Sequence, residues 1–556
     1  MVSNVAARRI PPAFGLLLWC ALGTALVQLM LARVAPNPRD FSPIFWFLLT
    51  AFDTHGNLLL FALVVAAFFL RRQPAVAGLV RFAAEHPWWL AAGAFPLLCL
   101  GAATVYRGYP LAMDEYVAWF QAQTFAAGRL DGQFPTDLMQ ELMPRFPAGM
   151  FFVASRPSGV ITGSYWPGFA LLVAPFAWLG IPWAANALIS ALTLPAVHRL
   201  ALAITGSREA AGWALLLTLS SPVFVVSAMS YYAMPAHMLC NLLFALLLLQ
   251  PTPGRALLAG LIGSLALTLH NPAPHALFCI AFIAWLAVRR APLTVFAALA
   301  AGYLPLLALL GWGWQQHLVG VLTKPAVAAI QAPAATPGPA ERVASAAAAA
   351  FVPPTAKILE ARVAGLSKAW TWGSAALLVL AAYGFAAGRK RPEVKVLAAA
   401  LAITFFGYFF VPFDQGHGWG YRYLHSAWFV LPVLAALAIS SLPDVEMRNM
   451  AAWAVLLSLI AANGLRLSQV DSFIGRHLAL VPPLARPADP ARPEIVFIDS
   501  RVGSYVRDMH QNDPLLRGPR IVMAYDGPEK SAALMARRFP EYTKRAEGKW
   551  GELWTR

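Results

Sequence analysis

Apolar residues run along this chain in blocks of roughly 15–20, each long enough to cross a bilayer core of about 30 Å as a helix. About thirteen spans are predicted, near 13–32, 54–70, 87–105, 182–204, 210–228, 236–250, 255–270, 274–288, 293–312, 371–388, 394–411, 427–441 and 450–465. The first block is too long, and lacks the small-residue cleavage site, for a removed signal peptide. The pattern predicts an all-α polytopic membrane protein.

Lys and Arg sort the loops between blocks. With Arg8 and Arg9 taken as cytoplasmic, alternate loops carry Arg71, Arg72 and Arg81, then Arg199 and Arg208, Arg255, Arg289 and Arg290, Arg389 to Arg391 with Lys395, and Arg448. Short loops on the other side, around 231–236 and 270–275, carry none; Arg33 and Arg39 after the first span dissent. This places the tail after about residue 466 outside.

Composition agrees. Hydrophobic residues make up 59% and charged residues 12%, against about 25% charged in an average soluble chain. That excludes a soluble multidomain enzyme and a disordered chain. The net charge of +16 (42 basic minus 26 acidic residues) reads as membrane topology, with no call for nucleic acid. Cys20, Cys99, Cys240 and Cys279 each lie within an apolar block, with no CxxC, and read as buried thiols. There is no GxxxxGK[ST] loop, so no ATP engine is built in; the lack of an internal repeat or a matched pair of broken helices, and the few ionisable residues in mid-span, weigh against an ion-coupled carrier.

The chain divides into 1–86 with two N-terminal spans, 87–465 as the main module, and the outer tail 466–556. Two outer segments of the module, 106–182 and 313–370, are too long for turns. The second holds an Ala/Pro-rich stretch, 325–354. The tail carries β-rich runs at 495–498 and 521–524, which fit a small α/β cap or an extended tail.

The first outer segment contains Met113-Asp114-Glu115-Tyr116, with Met113, Val117, Phe120 and Thr124 on one helical face and Gly128-Arg129 as a stop. This predicts an amphipathic helix on the outer membrane surface. Asp114 reads as its cap and Glu115 as a favourable charge at its positive end. A partly desolvated carboxylate there is also raised towards a usable general base, and the two readings are compatible. Gly163-Ser164-Tyr165-Trp166-Pro167-Gly168-Phe169 opens a shorter apolar stretch broken by Pro175, which suits a re-entrant or interfacial helix. Near the end, Phe413-Asp414-Gln415-Gly416-His417-Gly418-Trp419-Gly420-Tyr421-Arg422-Tyr423 precedes a span. Its Arg422 either snorkels at a helix end or binds an anion.

In this order and topology, residues 87–445 resemble the GT-C superfamily of integral-membrane glycosyltransferases, nearest the protein O-mannosyltransferase and lipid A aminoarabinose transferase group. The resemblance implies a GT-C-like bundle with juxtamembrane helices in the first large outer loop. It implies a sugar donor on a polyprenyl phosphate, a lipid, glycan or protein acceptor, and inversion at the anomeric carbon in a bacterial-type inner membrane. Asp114 then serves as general base with Glu115 beside it, and Arg422 holds the phosphate with His417, Tyr421, Tyr423 and a second basic residue nearby. Tyr165, Trp166, Tyr231 and His237 are assigned to the sugar or acceptor pocket. The superfamily also admits a divalent cation, Mg or Mn, on Asp114 and Glu115. His270 and His275, interrupted by prolines, are a weak metal motif, and Lys324 reads as solvated. The competing classes are a lipid or amphiphile flippase with Asp114 as a gate, and an inactive scaffold that binds through its tail.

Overall fold

The computed structural model describes residues 11–33, 43–74, 77–144, 150–323, 353–412, 415–503 and 505–556. Arg8, Arg9, Arg39, Lys324, Phe413, Asp414 and nearly all of the Ala/Pro-rich stretch lie outside them. The protein is a polytopic helical bundle. Among the described residues, seven helices are long and apolar enough to cross a membrane: Pro12–Arg33, Ile44–Leu70, Pro87–Thr104, Ala184–Thr205, Leu293–Leu322, Pro392–Phe410 and Val445–Ala479. Shorter apolar helices, among them Met234–Leu248, Pro253–Thr268, Ala273–Val288, Leu377–Gly388 and Val430–Ser441, fill the remaining predicted blocks.

Several predicted boundaries move. The block at 210–228 is split into Arg208–Leu219 and Pro222–Ser227, because Pro222 cannot supply the amide that would continue the first helix. The segment 313–370 is helical at both ends, Trp314–Thr323 and Ala356–Thr371. The last block is part of one 35-residue helix, Val445–Ala479.

These extensions place more charge inside the bundle than the hydropathy pattern suggested. Asp53, inside Ile44–Leu70, accepts from Lys368 Nζ at 2.7 Å and Trp372 Nε1 at 2.6 Å, and pairs with Arg466 Nη1 at 3.0 Å. All three charged side chains are 1% exposed. The N-terminal helices are thereby tied to helix Ala356–Thr371 and to the last long helix. Elsewhere the helices meet through small residues, as apolar helices without a hydrophobic drive between them must. A Cβ on Gly260 would lie 2.2 Å from the Leu299 carbonyl oxygen, and one on Gly302 2.2 Å from that of Leu257.

The first outer segment folds into helix Met113–Ala126, strands β1 (Gly132–Gln133), β2 (Phe152–Ser155) and β3 (Val160–Gly163) in the order β1-β3-β2, and helix Gly168–Trp178. The last has 11 residues, about 16 Å of helix and half a bilayer core, in keeping with the expected interfacial helix. The tail is the α/β alternative: β4 (Glu494–Ile498) pairs parallel with β5 (Arg520–Ala524), and antiparallel with β7 (Gly551–Thr555), which carries β6 (Thr543–Gly548) at the edge. β4 is buried on both faces, hence the unbroken apolar run 495–498. Ile495 and Phe497 pack with Phe120, Phe134 and Phe152 of the outer segment, whereas Val496 and Ile498 pack with Val481, Val506 and Met509. The outer segment and the tail thus share one core.

Candidate active site

Helix Met113–Ala126 begins after Ala112, an N-cap without a side-chain oxygen. The two amides just before it are met from its third position: Glu115 Oε2 accepts from the Leu111 and Ala112 N–H groups at 3.0 and 3.3 Å. The expected division of labour is reversed, since Glu115 closes the helix start and Asp114, one residue earlier and about 100° away round the helix, is left partly exposed beside Arg422. Glu115 is fully buried, and its Oε1 also takes the Tyr231 N–H at 2.9 Å and the Tyr106 hydroxyl at 3.0 Å. Burial pushes its pKa up to about 7 even though these donors pull it down.

Asp114 Oδ2 accepts from Arg422 Nη1 at 2.9 Å, and Oδ1 from the Tyr165 hydroxyl at 2.5 Å. Burial alone would raise its pKa, but Arg422 and the Tyr165 hydrogen bond outweigh it and hold the carboxyl below its ordinary value. This corrects the expectation that desolvation dominates: a guanidinium in contact outweighs partial burial. The side chains of Arg422 and Asp114 stay 13% and 24% exposed.

The glycine-rich stretch before Arg422 folds round it. Nη1 donates to the carbonyls of Gln415 and His417 at 2.7 and 2.9 Å, and Gln415 Oε1 accepts the Arg422 amide at 3.0 Å. A Cβ at Gly418 would lie 2.2 Å from Arg422 Cδ, so only glycine lets the loop close on this side chain. The guanidinium lies 4.2 Å above the Tyr232 ring, and the Tyr232 hydroxyl is 3.1 Å from His417 Nδ1.

Of the other expected neighbours, Tyr165 joins the pair directly, backed by His270, whose ring centroid is 4.0 Å from its own. Trp166 donates its backbone N–H to the His270 carbonyl at 3.3 Å. Tyr231 acts on Glu115 through its amide, and His237 is buried in the first turn of Met234–Leu248 with neither ring nitrogen hydrogen-bonded among the described residues. Tyr421 and Tyr423 have their rings in apolar and aromatic packing. Tyr421 packs on Gly365 and Phe405, and Tyr423 stacks on Tyr408 with centroids 4.3 Å apart. The short helix Arg422–His425 points successive side chains in different directions. Arg362, over the Tyr423 ring at 4.5 Å, is a second guanidinium, but it is spent on the Tyr408 and Val411 carbonyls.

The acidic pair does not fit a hard divalent cation. Such ions want six or more oxygen ligands, while both carboxylates already accept the donors named above. His275 is turned to Asn241 at 2.7 Å and Tyr303 at 2.6 Å, away from His270's contact with Tyr165. No group of three or more His, Cys, Asp or Glu suited to a metal occurs among the described residues. Tyr106, Tyr232 and Trp419 were not among the expected site residues, although Tyr232 flanks the same short outer turn as Tyr231 and Trp419 lies within the glycine-rich motif. Trp419 Nε1 donates to the Tyr106 hydroxyl at 3.1 Å, which in turn holds Glu115, so the Arg422 loop and the helix start are linked through buried side chains.

No family model and no curated protein matches the chain. Solved structures do. ArnT from Cupriavidus metallidurans bound to undecaprenyl phosphate aligns over 84% of this chain and 97% of its own, with a TM-score of 0.51 and 12% identity. The apo form of the same protein aligns over 84% and 98%, with a TM-score of 0.47 and 11% identity. The chain thus has a polytopic helical fold similar to that of ArnT.

Proposed function

We propose that the protein is a membrane glycosyltransferase that moves a sugar from a polyprenyl-phosphate donor to a hydroxyl of a lipid, glycan or protein acceptor, at the outer face of a bacterial-type inner membrane. The observation that carries this reading is the contact between Asp114 and Arg422, 308 residues apart in sequence, on a fold shared with a protein solved with undecaprenyl phosphate. In the reaction, the acceptor oxygen attacks the anomeric carbon from the side opposite the phosphate, and Asp114 takes its proton. The carbon–oxygen bond to the phosphate breaks, and the lipid phosphate leaves with the bonding electrons. Arg422 stabilises that growing charge, a task suited to a guanidinium that is always protonated.

The resting contact adds an order of events. Paired to Arg422, Asp114 is a weak base; when the donor phosphate draws the guanidinium away, the carboxyl regains basicity. Base strength is then coupled to donor binding, which protects the site from idle proton transfer. The apolar surface of the spans and the two juxtamembrane helices seats the lipid tail.

The test is glycolipid and glycoprotein profiling by mass spectrometry of cells with and without the gene, complemented by the unaltered protein or Asp114→Asn. A sugar lost on deletion and restored only by the unaltered protein supports the reading and names both substrates. Restoration by Asp114→Asn removes the base assignment, and an unchanged profile on deletion removes transfer.

A further inference from the structure

Besides the shared apolar core, the tail domain is held to the outer segment by hydrogen bonds from one short stretch, residues 511–514. Tyr116 and Asn512 exchange two hydrogen bonds, from the Tyr116 hydroxyl to the Asn512 carbonyl at 2.8 Å and from the Asn512 N–H to the hydroxyl at 2.7 Å. Gln511 Nε2 donates to the Pro110 carbonyl at 2.7 Å, and the Gln133 N–H to the Pro514 carbonyl at 2.8 Å. Between these anchors and the helix bundle lies Asp508, 8% exposed, whose Oδ2 accepts the Met113 N–H at 3.1 Å.

Asp508 thus fills a role that the local sequence leaves open. A helix start has amides without intrahelical partners, ordinarily met by a Ser, Thr, Asp or Asn cap. Ala112 supplies nothing, Glu115 covers the two amides before the helix, and Met113, next to Asp114, is covered only by a carboxyl 395 residues further along the chain.

We propose that Asp508 is a positioning residue of the site: the tail domain delivers a carboxyl to the start of the Asp114 helix, where it anchors the preceding residue and sets how much negative charge a donor phosphate meets. The inference rests on the transferase reading above. Three carboxyls, Asp114, Glu115 and Asp508, gather round one helical turn, and Arg422 pairs with just one of them. Burial, with a contribution from Asp114, pushes the Asp508 pKa up to about 7, against the pull of the Met113 amide and Arg507. The ionisable groups facing it are Asp114, Tyr109 and Tyr165 from the outer segment and Arg507 from its own domain. Below about pH 7 Asp508 is neutral and tolerates an incoming phosphate; above it, a second anion stands beside Asp114 and opposes one. An aspartate that serves only as a hydrogen-bond acceptor has no such pH signature.

The experiment is titration of the full-length protein, in phosphatidylcholine nanodiscs, with undecaprenyl phosphate at pH 6 and pH 8. The quantity read is the ratio of the two dissociation constants. The phosphate's own ionisation affects every protein alike and cancels in the comparison. The unaltered protein should weaken about three- to tenfold more between pH 6 and pH 8 than Asp508→Asn, as one added charge near the ligand requires. Asp508→Ser, also neutral and also an acceptor, should repeat the Asn result should Asn itself fold poorly. Equal ratios in the unaltered protein and in a folded neutral variant overturn the proposal while leaving the transferase reading intact. No binding by the unaltered protein at either pH overturns the transferase reading and this inference with it.

Discussion

Two carboxylates in this protein are each gripped by an arginine from a distant part of the chain, and they differ in what surrounds the grip. Asp53 is held by Lys368, Arg466 and Trp372, with every charged side chain 1% exposed. Arg466 also spends donors on the carbonyls of Thr371 and Phe52, at 2.9 and 3.2 Å. Asp114 has one guanidinium and one phenol, and the side chains of Arg422 and Asp114 stay 13% and 24% exposed. A sealed, saturated cluster locks helices together, because breaking it strands charges in a low dielectric. A half-open pair can exchange a partner for a substrate. The sealed triad is where a carrier would keep its coupling charges, yet its partners are all protein and all buried.

The sharpest way to break this comparison is to neutralise each acid in turn. Asp114→Asn should lower transfer by about 10²- to 10⁴-fold, the usual worth of a positioned base, with thermal unfolding of the purified protein nearly unchanged. Asp53→Asn should do the opposite, costing about 3–5 kcal/mol by leaving two buried cations short of a counter-charge, seen as a lowered unfolding midpoint and poor membrane yield. If Asp53→Asn folds normally and selectively loses activity, the triad is functional and the comparison fails.

Arg422→Lys comes next. The charge survives, but a lysine cannot reach Asp114, Gln415 and His417 with a planar fork. Donor KM should rise about tenfold or more, with the acceptor KM changing much less. Equal changes in both would make Arg422 a structural clamp.

How far the sequence reached follows the same division. The helical blocks and both site motifs were legible because hydropathy and turn chemistry are local. Asp114 and Arg422 could be paired because the GT-C resemblance supplied the long-range link that spacing alone cannot. The different fates of Asp114 and Glu115 were not legible, since they hinge on Ala112 being the N-cap, a residue no capping rule would select. Asp53 and Arg466 lay just beyond the apolar windows, and hydropathy cannot register charges that neutralise one another in space. Asp508 was a charge in a tail until that tail docked.

Glu115 allows a smaller test. Its folded pKa, pushed up to about 7 from an ordinary 4.5, means the folded state keeps a proton that the unfolded chain releases. The stabilisation is full below about pH 4.5, is lost as pH rises through about 7, and is flat above. His270 and His510, both held near 4 by burial, push stability the other way and mask this in a single protein. The useful quantity is therefore the difference in unfolding midpoint between the unaltered protein and Glu115→Gln, in which the histidine contributions cancel. That difference should shrink from pH 5 to pH 7; growth over the same range contradicts the assignment of a proton to Glu115.

The smallest effect separates the two sites most cleanly. Tyr165→Phe keeps the ring beside His270 and removes only the hydroxyl that donates to Asp114, a hydrogen bond to a charged group worth about 1.5–3 kcal/mol. That bond favours the ionised carboxylate, so its loss must raise the Asp114 pKa and move the acid limb of the transfer–pH profile to higher pH. Trp372→Phe is the matched change at the sealed cluster, deleting the indole donor to Asp53. It should lower the unfolding midpoint and leave the acid limb where it was. A limb that stays fixed in Tyr165→Phe would mean that Asp114 does not take the acceptor proton, whatever its contact with Arg422, because a base cannot lose a hydrogen bond to its anion and keep its pKa.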